Sequence, residues 1–330
     1  MPVDAGRIDV GLPVFLAPMA GISDLPFRSV ALQSGASGVV SEMVASEEVM
    51  RAQPEARARA ELGFGVGRTA VQIAGREARW MAEAARWCAG QGARTIDINF
   101  GCPAKKVTNG LSGSALMRDP DHALRLIDAV TAAVDVPVTV KMRLGWDGAQ
   151  LNAPEIAARA EQAGVQMIVV HGRTRCQFYA GRADWAAIRQ VKQAVGIPVI
   201  ANGDIKSPAH ARRALELSGA DGVMVGRGAR GRPWLLGQIA ATLAGRRPPK
   251  SPEGRALREL ISAQYEATLS LYGRPLGVRV ARKHLGWYLD RIPGMAPARA
   301  QMMRLDDPRQ VLALLRDALD EAPPLVEAAA

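Results

Sequence analysis

The amino-acid sequence predicts an α/β protein, a (β/α)8 TIM barrel over residues 1–245 followed by a small all-helical C-terminal domain over residues 246–330. Eight short apolar runs alternate with helical segments at spacings of about 24 to 42 residues, as in TIM barrels. The runs are mostly continuous rather than alternating in polarity, which is typical of parallel strands covered on both faces. After Gly245 these runs stop and helical periodicity replaces them.

The strand predictions follow one another regularly, and each is bounded by Gly, Pro or Asn. They cover residues 14–19, 38–43, 69–75, 95–101, 137–143, 167–173, 198–204 and 222–228. Gly35, Gly92, Gly164 and Gly219 fall where helices should end, because glycine readily adopts the left-handed conformation found just after a helix. The longest gap follows the fourth strand, so residues 99–117 are predicted to lie on the rim where barrels place their active sites.

Two amphipathic helices are predicted beyond a linker at residues 245–254. Their buried faces are Leu257, Leu260, Ile261, Gln264, Tyr265, Thr268 and Leu269 in the first helix, and Val278, Ala281, Leu285 and Leu289 in the second. The basic residues Arg279, Arg282 and Lys283 fall away from the apolar face of the second helix. The sequence therefore predicts a helical domain with one basic side.

The positive charge of the chain is concentrated near its C-terminal end. The 330 residues carry a net charge of +10, and residues 246–304 hold 12 basic but only 4 acidic side chains. Residues 305–330 hold 2 basic and 6 acidic side chains. This clustering predicts a polyanionic partner, nucleic acid before membrane, with a solvated basic surface as the alternative.

The composition excludes several classes of protein. The chain is 48% hydrophobic and 22% charged, as in ordinary globular proteins, and no uncharged apolar run is long enough to span a membrane or act as a secretory signal. The three cysteines, Cys88, Cys102 and Cys176, lack zinc-site spacing and are too few for a disulfide framework. We therefore expect a reduced cytoplasmic protein without a metal.

Polar or otherwise unusual residues follow nearly every predicted strand. They are Pro18, Met19, Ala20, Glu42, Gln72, Asn99, Lys141, Arg143, His171, Arg173, Asn202, Gly203, Asp204, Gly226, Arg227 and Gly228. Core packing does not require amides, a lysine and a histidine at equivalent strand ends, whereas a ligand with several hydrogen-bonding edges does. A flavin mononucleotide (FMN) fits this set, with positive charge near its pyrimidine edge stabilising the anionic reduced ring.

The segment GRGARG, residues 226–231, matches the GxGxxG pattern of dinucleotide-binding proteins. It follows the eighth strand rather than opening a βαβ unit, and no acidic residue stands about 20 positions further on. TIM barrels commonly bind phosphate at the loops after strands seven and eight. The glycine N–H groups and Arg227 therefore predict a phosphate site.

Nine motifs together resemble the tRNA-dihydrouridine synthase family, and most closely its bacterial B-type subgroup. In chain order they are APMAGISDLPFR, SEM, VQIAG, DINFGCPAKKV, GSALM, VKMRLGW, HGRTR, ANGDI and VMVGRGARGRPW, followed by the C-terminal RVARKHLGWYL. The resemblance covers about residues 10–290. It implies an FMN-binding catalytic barrel and a helical tRNA-binding domain that reduce the C5=C6 bond of particular uridines with NADPH.

The resemblance also assigns roles to individual residues. Those expected to bind FMN are Pro18, Met19 and Ala20 against the isoalloxazine, Gln72 and Lys141 at the ring edge, His171 beside the flavin, and Asn202, Gly203, Asp204, Gly226 and Arg227 at the ribityl phosphate. Those expected to contact the substrate uridine or the tRNA are Asn99, Lys105, Lys106, Arg143, Arg173, Arg279, Arg282 and Lys283.

Cys102 is the expected general acid. Reduction of a uracil ring requires a hydride at C6, which flavin N5 would deliver, and a proton at C5 from the opposite face. A thiol with an ordinary pKa of about 8.5 is mostly protonated near neutrality and can supply that proton. Ser112, Gly113 and Ser114 are expected to give its loop room to move, while Asn109 and Gly110 stand where the family more often has a basic residue.

Two other functions remain open at this point. A small-molecule pyrimidine or dihydroorotate-type flavin oxidoreductase would share the phosphate site and the acid, but it would not need the basic helical domain. A non-catalytic tRNA-binding protein on a barrel scaffold would need the helical domain but not a thiol acid. The resemblance favours a D-loop uridine as substrate, and we expect the protein to be a monomer.

Overall fold

The structure is a computed structural model that describes residues 13–51 and 68–320. Its strands are β1 (Val14–Leu16), β2 (Gly38–Val40), β3 (Val44–Ala45), β4 (Thr69–Ala74), β5 (Ile96–Phe100), β6 (Val138–Arg143), β7 (Met167–His171), β8 (Val199–Asn202) and β9 (Gly222–Val225). All pair in parallel in the order β2-β1-β9-β8-β7-β6-β5-β4-β3, and β2 also pairs with β4. The pairing of β2 with both neighbours closes an eight-stranded barrel, with β3 as a short addition beside the end of β4.

Helices cover the barrel and continue beyond it. They are α1 (Leu25–Gln33), α2 (Ser46–Met50), α3 (Ala78–Gly90), α4 (Lys105–Thr108), α5 (Pro120–Thr131), α6 (Ala153–Gln162), α7 (Ile188–Ala194), α8 (Pro208–Ser218), α9 (Leu235–Leu243), α10 (Gly254–Tyr272), α11 (Arg274–Leu289), α12 (Ala296–Met302) and α13 (Pro308–Asp320). Short 3-10 turns lie at Gly113–Arg118 and Arg227–Ala229. The predicted (β/α)8 barrel followed by helices is confirmed.

Local sequence signals define the ends of several helices. The side chains of Asp24, Asp119 and Ser207 accept hydrogen bonds from backbone N–H groups in the first turns of α1, α5 and α8, and proline follows in each first turn. The four glycines predicted to end helices, at positions 35, 92, 164 and 219, all have positive φ angles between 66° and 97°. These ends set where each strand begins.

The barrel strands pack on two sides. Inside the barrel lies a cluster of residues from the strands and their ends: Ala17, Val40, Met167, Val169, Ile200 and Met224. The alternate residues, such as Ile168 and Val170 of β7, face outward and join the helices in a larger core. Burial on both faces explains why the strands are continuously apolar in the sequence.

The C-terminal helices form a core of their own. Leu257, Ile261 and Tyr265 of α10 pack with Leu285 and Leu289 of α11, in agreement with the predicted apolar stripes. Further members of the same core come from α12, α13 and the segment before α9: Met302, Val311, Leu315, Leu319 and Trp234. None of the helices in the described ranges has the length and apolar character needed to cross a membrane.

Gly237 provides a test of how closely α9 packs on the end of α1. A Cβ atom added at Gly237 would overlap the carbonyl oxygen of Ser34. We expect Gly237→Ala to lower the free energy of unfolding by about 1–3 kcal/mol, because relief of the overlap requires a backbone shift. Chemical denaturation followed by circular dichroism measures this. Gly90→Ala is the matched control, since Gly90 is also helical but has open space around it; an equal loss in both variants would contradict the steric explanation.

Candidate active site

A cavity of about 390 Å³ opens at the carboxyl ends of the barrel strands, within the usual range for ligand and cofactor sites. The predicted residues that line it are Pro18, Met19, Ala20, Gln72, Asn99, Cys102, Lys141, Arg143, His171, Asn202, Gly203, Asp204, Gly226 and Arg227. The other predicted residues are not among its lining: Lys105, Lys106, Arg173, Arg279, Arg282 and Lys283. Parallel closure thus brings together side chains separated by up to about 200 positions in the chain.

A chain of hydrogen bonds runs through the floor of the cavity. Thr139 Oγ1 donates to Asp97 Oδ1 and Gln72 Nε2 donates to Asp97 Oδ2, each at 2.6 Å. Asn99 Nδ2 donates to Gln72 Oε1 at 2.7 Å. The side-chain oxygen of Asn99, Oδ1, in turn accepts from the backbone N–H of Cys102 at 2.8 Å. Gln72 and Asn99 are therefore held in set orientations at the pocket floor.

The cationic side of the cavity is formed by β6 and β7. Burial, with the positive charge of Arg143 nearby, lowers the pKa of Lys141 to about 8. Burial, with the surrounding cations Lys141, Arg143, Arg173 and Arg227, lowers the pKa of His171 well below its ordinary value. The imidazole is therefore neutral near neutral pH and has one nitrogen able to accept a hydrogen bond.

Arg143 joins the ends of two strands to the loop after β7. Its Nε donates to the Gly101 carbonyl at 2.8 Å, and its Nη1 donates to the carbonyls of Thr174 at 2.8 Å and Phe178 at 2.9 Å. This arrangement brings Tyr179 to the cavity wall, where the Arg227 guanidinium lies 4.6 Å from its ring centroid. Arg143 thus lines the pocket while its guanidinium donates hydrogen bonds to three backbone carbonyls.

The opposite end of the cavity is built around Asp204. Its carboxylate accepts from Arg173 at 2.7 and 3.1 Å and lies 3.8 Å from Arg227, while Arg173 itself is fully buried. Asn202 Nδ2 donates to the Met224 carbonyl at 2.8 Å. An ionised carboxylate cannot donate a hydrogen bond to an anion, so Asp204 itself offers a phosphate no donor. Arg173 also donates to the carbonyls of Ala180 and Gly181 and is not among the lining residues, so it holds Asp204 in place from behind the cavity wall. Arg227 remains directed at the cavity, with Arg230 and Lys206 as further lining cations.

Cys102 is half-buried in a turn held from both sides. Asn99 Oδ1 accepts from the N–H groups of Gly101 and Cys102, and Ser114 Oγ donates to the Cys102 carbonyl at 2.8 Å. Gly113 has a φ of 60°, and a Cβ there would lie 2.9 Å from that carbonyl. The expectation that Gly113 and Ser114 give the Cys102 loop room to move is therefore corrected. Ser114 is fully buried, and its hydrogen bond holds the turn in place.

Lys105 and Lys106 lie in the first turn of α4 and are exposed. Lys106 borders a second cleft of about 320 Å³ that shares Met43 with the main cavity and also contains Trp80. The two lysines are thus placed on the outer rim, beside the turn that carries Cys102.

The three basic residues predicted on α11 have different surroundings. Arg279 is exposed, whereas Arg282 pairs with Asp306 at 2.7 Å. Lys283 donates a hydrogen bond to the Gly21 carbonyl, next to the Pro18–Ala20 wall of the cavity. Lys283 therefore connects α11 to the barrel.

Sequence reasoning missed Asp97, Thr139 and Tyr179. Asp97 had a signal, since it is a charged residue within the continuous apolar run of β5. Tyr179 had none, because its position depends on a loop held by Arg143. Among the described residues, no group of three or more His, Cys, Asp or Glu side chains is placed to hold a metal ion. The donor set suits an amphipathic organic ligand with an anionic end.

Comparison with known proteins identifies the family. A family model described as dihydrouridine synthase matches residues 15–323. A probable tRNA-dihydrouridine synthase of Rhodobacter capsulatus is 62% identical over 320 residues, which are 97% of this chain and 98% of the relative. The tRNA-dihydrouridine synthase B of Xanthomonas campestris pv. campestris is 46% identical over 329 residues, 98% of this chain and 99% of the relative.

Solved structures share the fold at low sequence identity. Histamine dehydrogenase from Rhizobium sp. 4-9 is 12% identical with a TM-score of 0.56, and the match covers 80% of this chain and 50% of that one. 2-Naphthoyl-CoA reductase is 12% identical with a TM-score of 0.54, over 71% of this chain and 50% of that one. This chain thus spans about half the length of each, and the likeness concerns the fold alone.

The lowered pKa of Lys141 predicts a cost in stability. The unfolded chain, with its ordinary lysine pKa of 10.5, binds the proton more tightly than the folded protein does at about 8. Stability is therefore reduced below about pH 8 and recovers as the pH rises toward 10.5. We expect ligand-free Lys141→Met to be more stable than the parent near neutral pH, with an advantage that shrinks in alkaline buffer.

Urea unfolding of both proteins across this pH range measures the effect. Lys105→Met, at an exposed lysine, controls for the exchange of lysine for methionine. An advantage of Lys141→Met that stays constant with pH would contradict the assignment to a titrating, desolvated ammonium group.

Proposed function

We propose that this chain, which belongs to the dihydrouridine synthase family, is an FMN-dependent tRNA-dihydrouridine synthase that uses NADPH as reductant. Membership of the family makes it an oxidoreductase. The observation that carries the finer proposal is the convergence of Gln72, Lys141, His171 and Arg227 with Cys102 on one cavity. A set of hydrogen-bonding side chains with one thiol suits a flavin beside a pyrimidine that requires protonation.

The residues of the cavity fit FMN by their chemistry. Pro18, Met19 and Ala20 offer an apolar wall for the ring, and Gln72 and Lys141 offer hydrogen-bonding groups on the floor. For the phosphate of FMN, the cavity offers the guanidinium of Arg227, the backbone around Gly203 and Gly226, and the side chain of Asn202. FMN, when bound, supplies the hydride for uracil C6. Lys141, where it is protonated, stabilises negative charge at the pyrimidine edge.

Cys102 is proposed to hold the proton that C5 receives. Its Sγ lies in a turn held by Asn99 and Ser114, so the thiol is directed by the rim of the barrel rather than by a free loop. Asn99 and Arg143 line the same space and are proposed to orient the uracil, with Arg173 supporting Asp204 below. A positioned acid of this kind accounts for protonation on one face of the ring.

The helical segment is proposed to dock tRNA. The positive balance of residues 246–304 favours contact with phosphates, which supplies affinity without reading sequence. Arg279 is an exposed cation on α11, and exposed Lys105 and Lys106 lie on the rim that we propose an extruded uridine crosses. Arg282 and Lys283 have partners within the chain, so we propose a supporting role for them in orienting α11.

The remaining parts of the proposal follow from this activity. A tRNA-modifying oxidoreductase without a membrane requirement suits the cytoplasm, and the monomer is proposed as the active unit. A D-loop uridine is proposed as the substrate because the sequence motifs resemble the B-type subgroup, for which that substrate is expected. Turnover of free uracil or dihydroorotate with tRNA inert would favour the small-molecule oxidoreductase, and a colourless protein that binds tRNA tightly would favour the binding scaffold.

The first test is the formation of dihydrouridine. The purified protein is incubated with unmodified tRNA and NADPH, and the product is quantified by mass spectrometry. We expect Cys102→Ala to slow product formation by about 100-fold or more, because C5 loses its proton donor. Its flavin content should equal that of the parent.

Cys176→Ala is the matched control, since Cys176 is exposed and lies outside the cavity lining. It should keep the parent rate. Equal product from the parent and Cys102→Ala would remove the thiol from the mechanism, and no product from a protein whose flavin NADPH reduces would count against the tRNA substrate.

The second test concerns tRNA docking. We expect Arg279→Glu to weaken tRNA binding and to reduce the slope of log affinity against log salt by about 1, because one phosphate contact is lost. Fluorescence anisotropy over a range of KCl concentrations measures both. Arg86→Glu makes the same charge change at an exposed residue of α3, on the barrel. If the two variants behave alike, overall charge rather than a contact of α11 governs binding.

A further inference from the structure

Asp97 lies beneath the cavity and has no place in the function proposed above. Its carboxylate is 2% exposed and accepts hydrogen bonds from Thr139 on one oxygen and Gln72 on the other. Burial raises the pKa of this carboxyl to about 6, so near neutral pH it is mainly ionised and both oxygens only accept. A buried charge of this kind is costly unless its acceptor sites are filled.

The two ends of the hydrogen-bond chain define its direction. One end is the Asp97 carboxylate, which accepts, and the other is the pair of N–H groups of Gly101 and Cys102, which donate. Between them stand the side-chain amides of Gln72 and Asn99, each with an NH2 donor and an oxygen acceptor. Only one orientation satisfies both ends: each NH2 group points toward Asp97 and each oxygen toward Cys102.

We propose that Asp97 is a positioning residue, which sets the orientation of the Gln72 and Asn99 amides and through them the turn that holds Cys102. Without the acceptor at position 97, the Gln72 NH2 group loses its partner, and only the N–H groups of Gly101 and Cys102 still oppose a reversal of the two amides. In the reversed arrangement, Gln72 turns its NH2 group toward Asn99, and Asn99 turns its own NH2 group toward the donors of Cys102. Removal of Asp97 lowers the free-energy cost of this arrangement, in which the turn loses both of its Asn99 hydrogen bonds. The proposal rests on the proposed function only in taking Cys102 as the acid.

The contacts distinguish this role from simple support of the fold. Thr139 donates to the other oxygen of Asp97, on the side away from the amide chain. Loss of the Thr139 hydroxyl removes a bond of similar length from the same carboxylate, yet leaves the acceptor for Gln72 in place. A structural role predicts similar effects of losing either residue, whereas a positioning role predicts that only loss of the acceptor reaches Cys102.

The test compares Asp97→Ala, Asp97→Asn and Thr139→Val in the FMN-loaded protein. Alkylation of Cys102 by iodoacetamide is followed by peptide-resolved mass spectrometry, with exposed Cys176 as the internal reference. We expect Asp97→Ala to raise the Cys102 rate several-fold and to lower kcat for dihydrouridine formation about tenfold, because the reversed amides, in which the turn lacks both Asn99 hydrogen bonds, become populated. KM for tRNA should stay unchanged, since the docking surface is untouched.

Asp97→Asn should restore both rates, because its oxygen accepts from Gln72 while its NH2 group donates to the Thr139 hydroxyl. Thr139→Val should also remain near the parent in both readouts. Asp97→Leu, which lacks an acceptor but fills the space, replaces Asp97→Ala if the smaller residue prevents folding. It should show the same changes.

Three results would overturn the proposal: unchanged alkylation in Asp97→Ala and Asp97→Leu, failure of Asp97→Asn to restore it, or an equal change in Thr139→Val. The alkylation readout does not depend on catalysis. If the parent forms no dihydrouridine while the alkylation rates follow the expected order, the proposed function fails and the positioning role of Asp97 stands.

Discussion

Closure of the parallel sheet is the constraint on which the rest of the structure depends. The short strand β2 pairs with β1 through Phe15 and Gly38 and with β4 through Val39 and Thr69. Because β1 also pairs with β9, the barrel strands form a closed ring. In a closed parallel barrel every strand ends at the same rim. Side chains that follow different strands therefore meet in one cavity, whatever their separation in sequence.

The cavity concentrates charge that a stable core would avoid. Lys141 and Asp97 lie on neighbouring strands. Burial lowers the pKa of Lys141 and raises the pKa of Asp97, so in both residues it favours the neutral form. For Asp97, the hydrogen bonds to both carboxylate oxygens offset part of the cost of burying the charge. For Lys141, a bound anionic ring would offset the cost of burying the ammonium group. Such perturbed groups are typical of functional sites, where stability is lost in exchange for reactivity.

The C-terminal helices also contribute to the architecture of the site. Lys283 of α11 donates to the Gly21 carbonyl, and the Arg230 guanidinium, which lines the cavity, lies 4.9 Å from the ring centroid of Trp287. The helix thus contacts segments at two ends of the cavity. A surface proposed to dock tRNA is in this way physically continuous with the walls of the proposed cofactor site.

The sequence by itself determined the strand order, the barrel and most of the cavity lining. These depend on local periodicity and on the rule that parallel strands share a rim, so Gln72, Lys141 and His171 were identified from their positions alone. Only the tertiary structure decided which of these polar groups bond to one another. The Asp97 chain and the partner of Lys283 join residues distant in sequence, and hydrogen bonds of that kind depend on packing distances that no local pattern encodes.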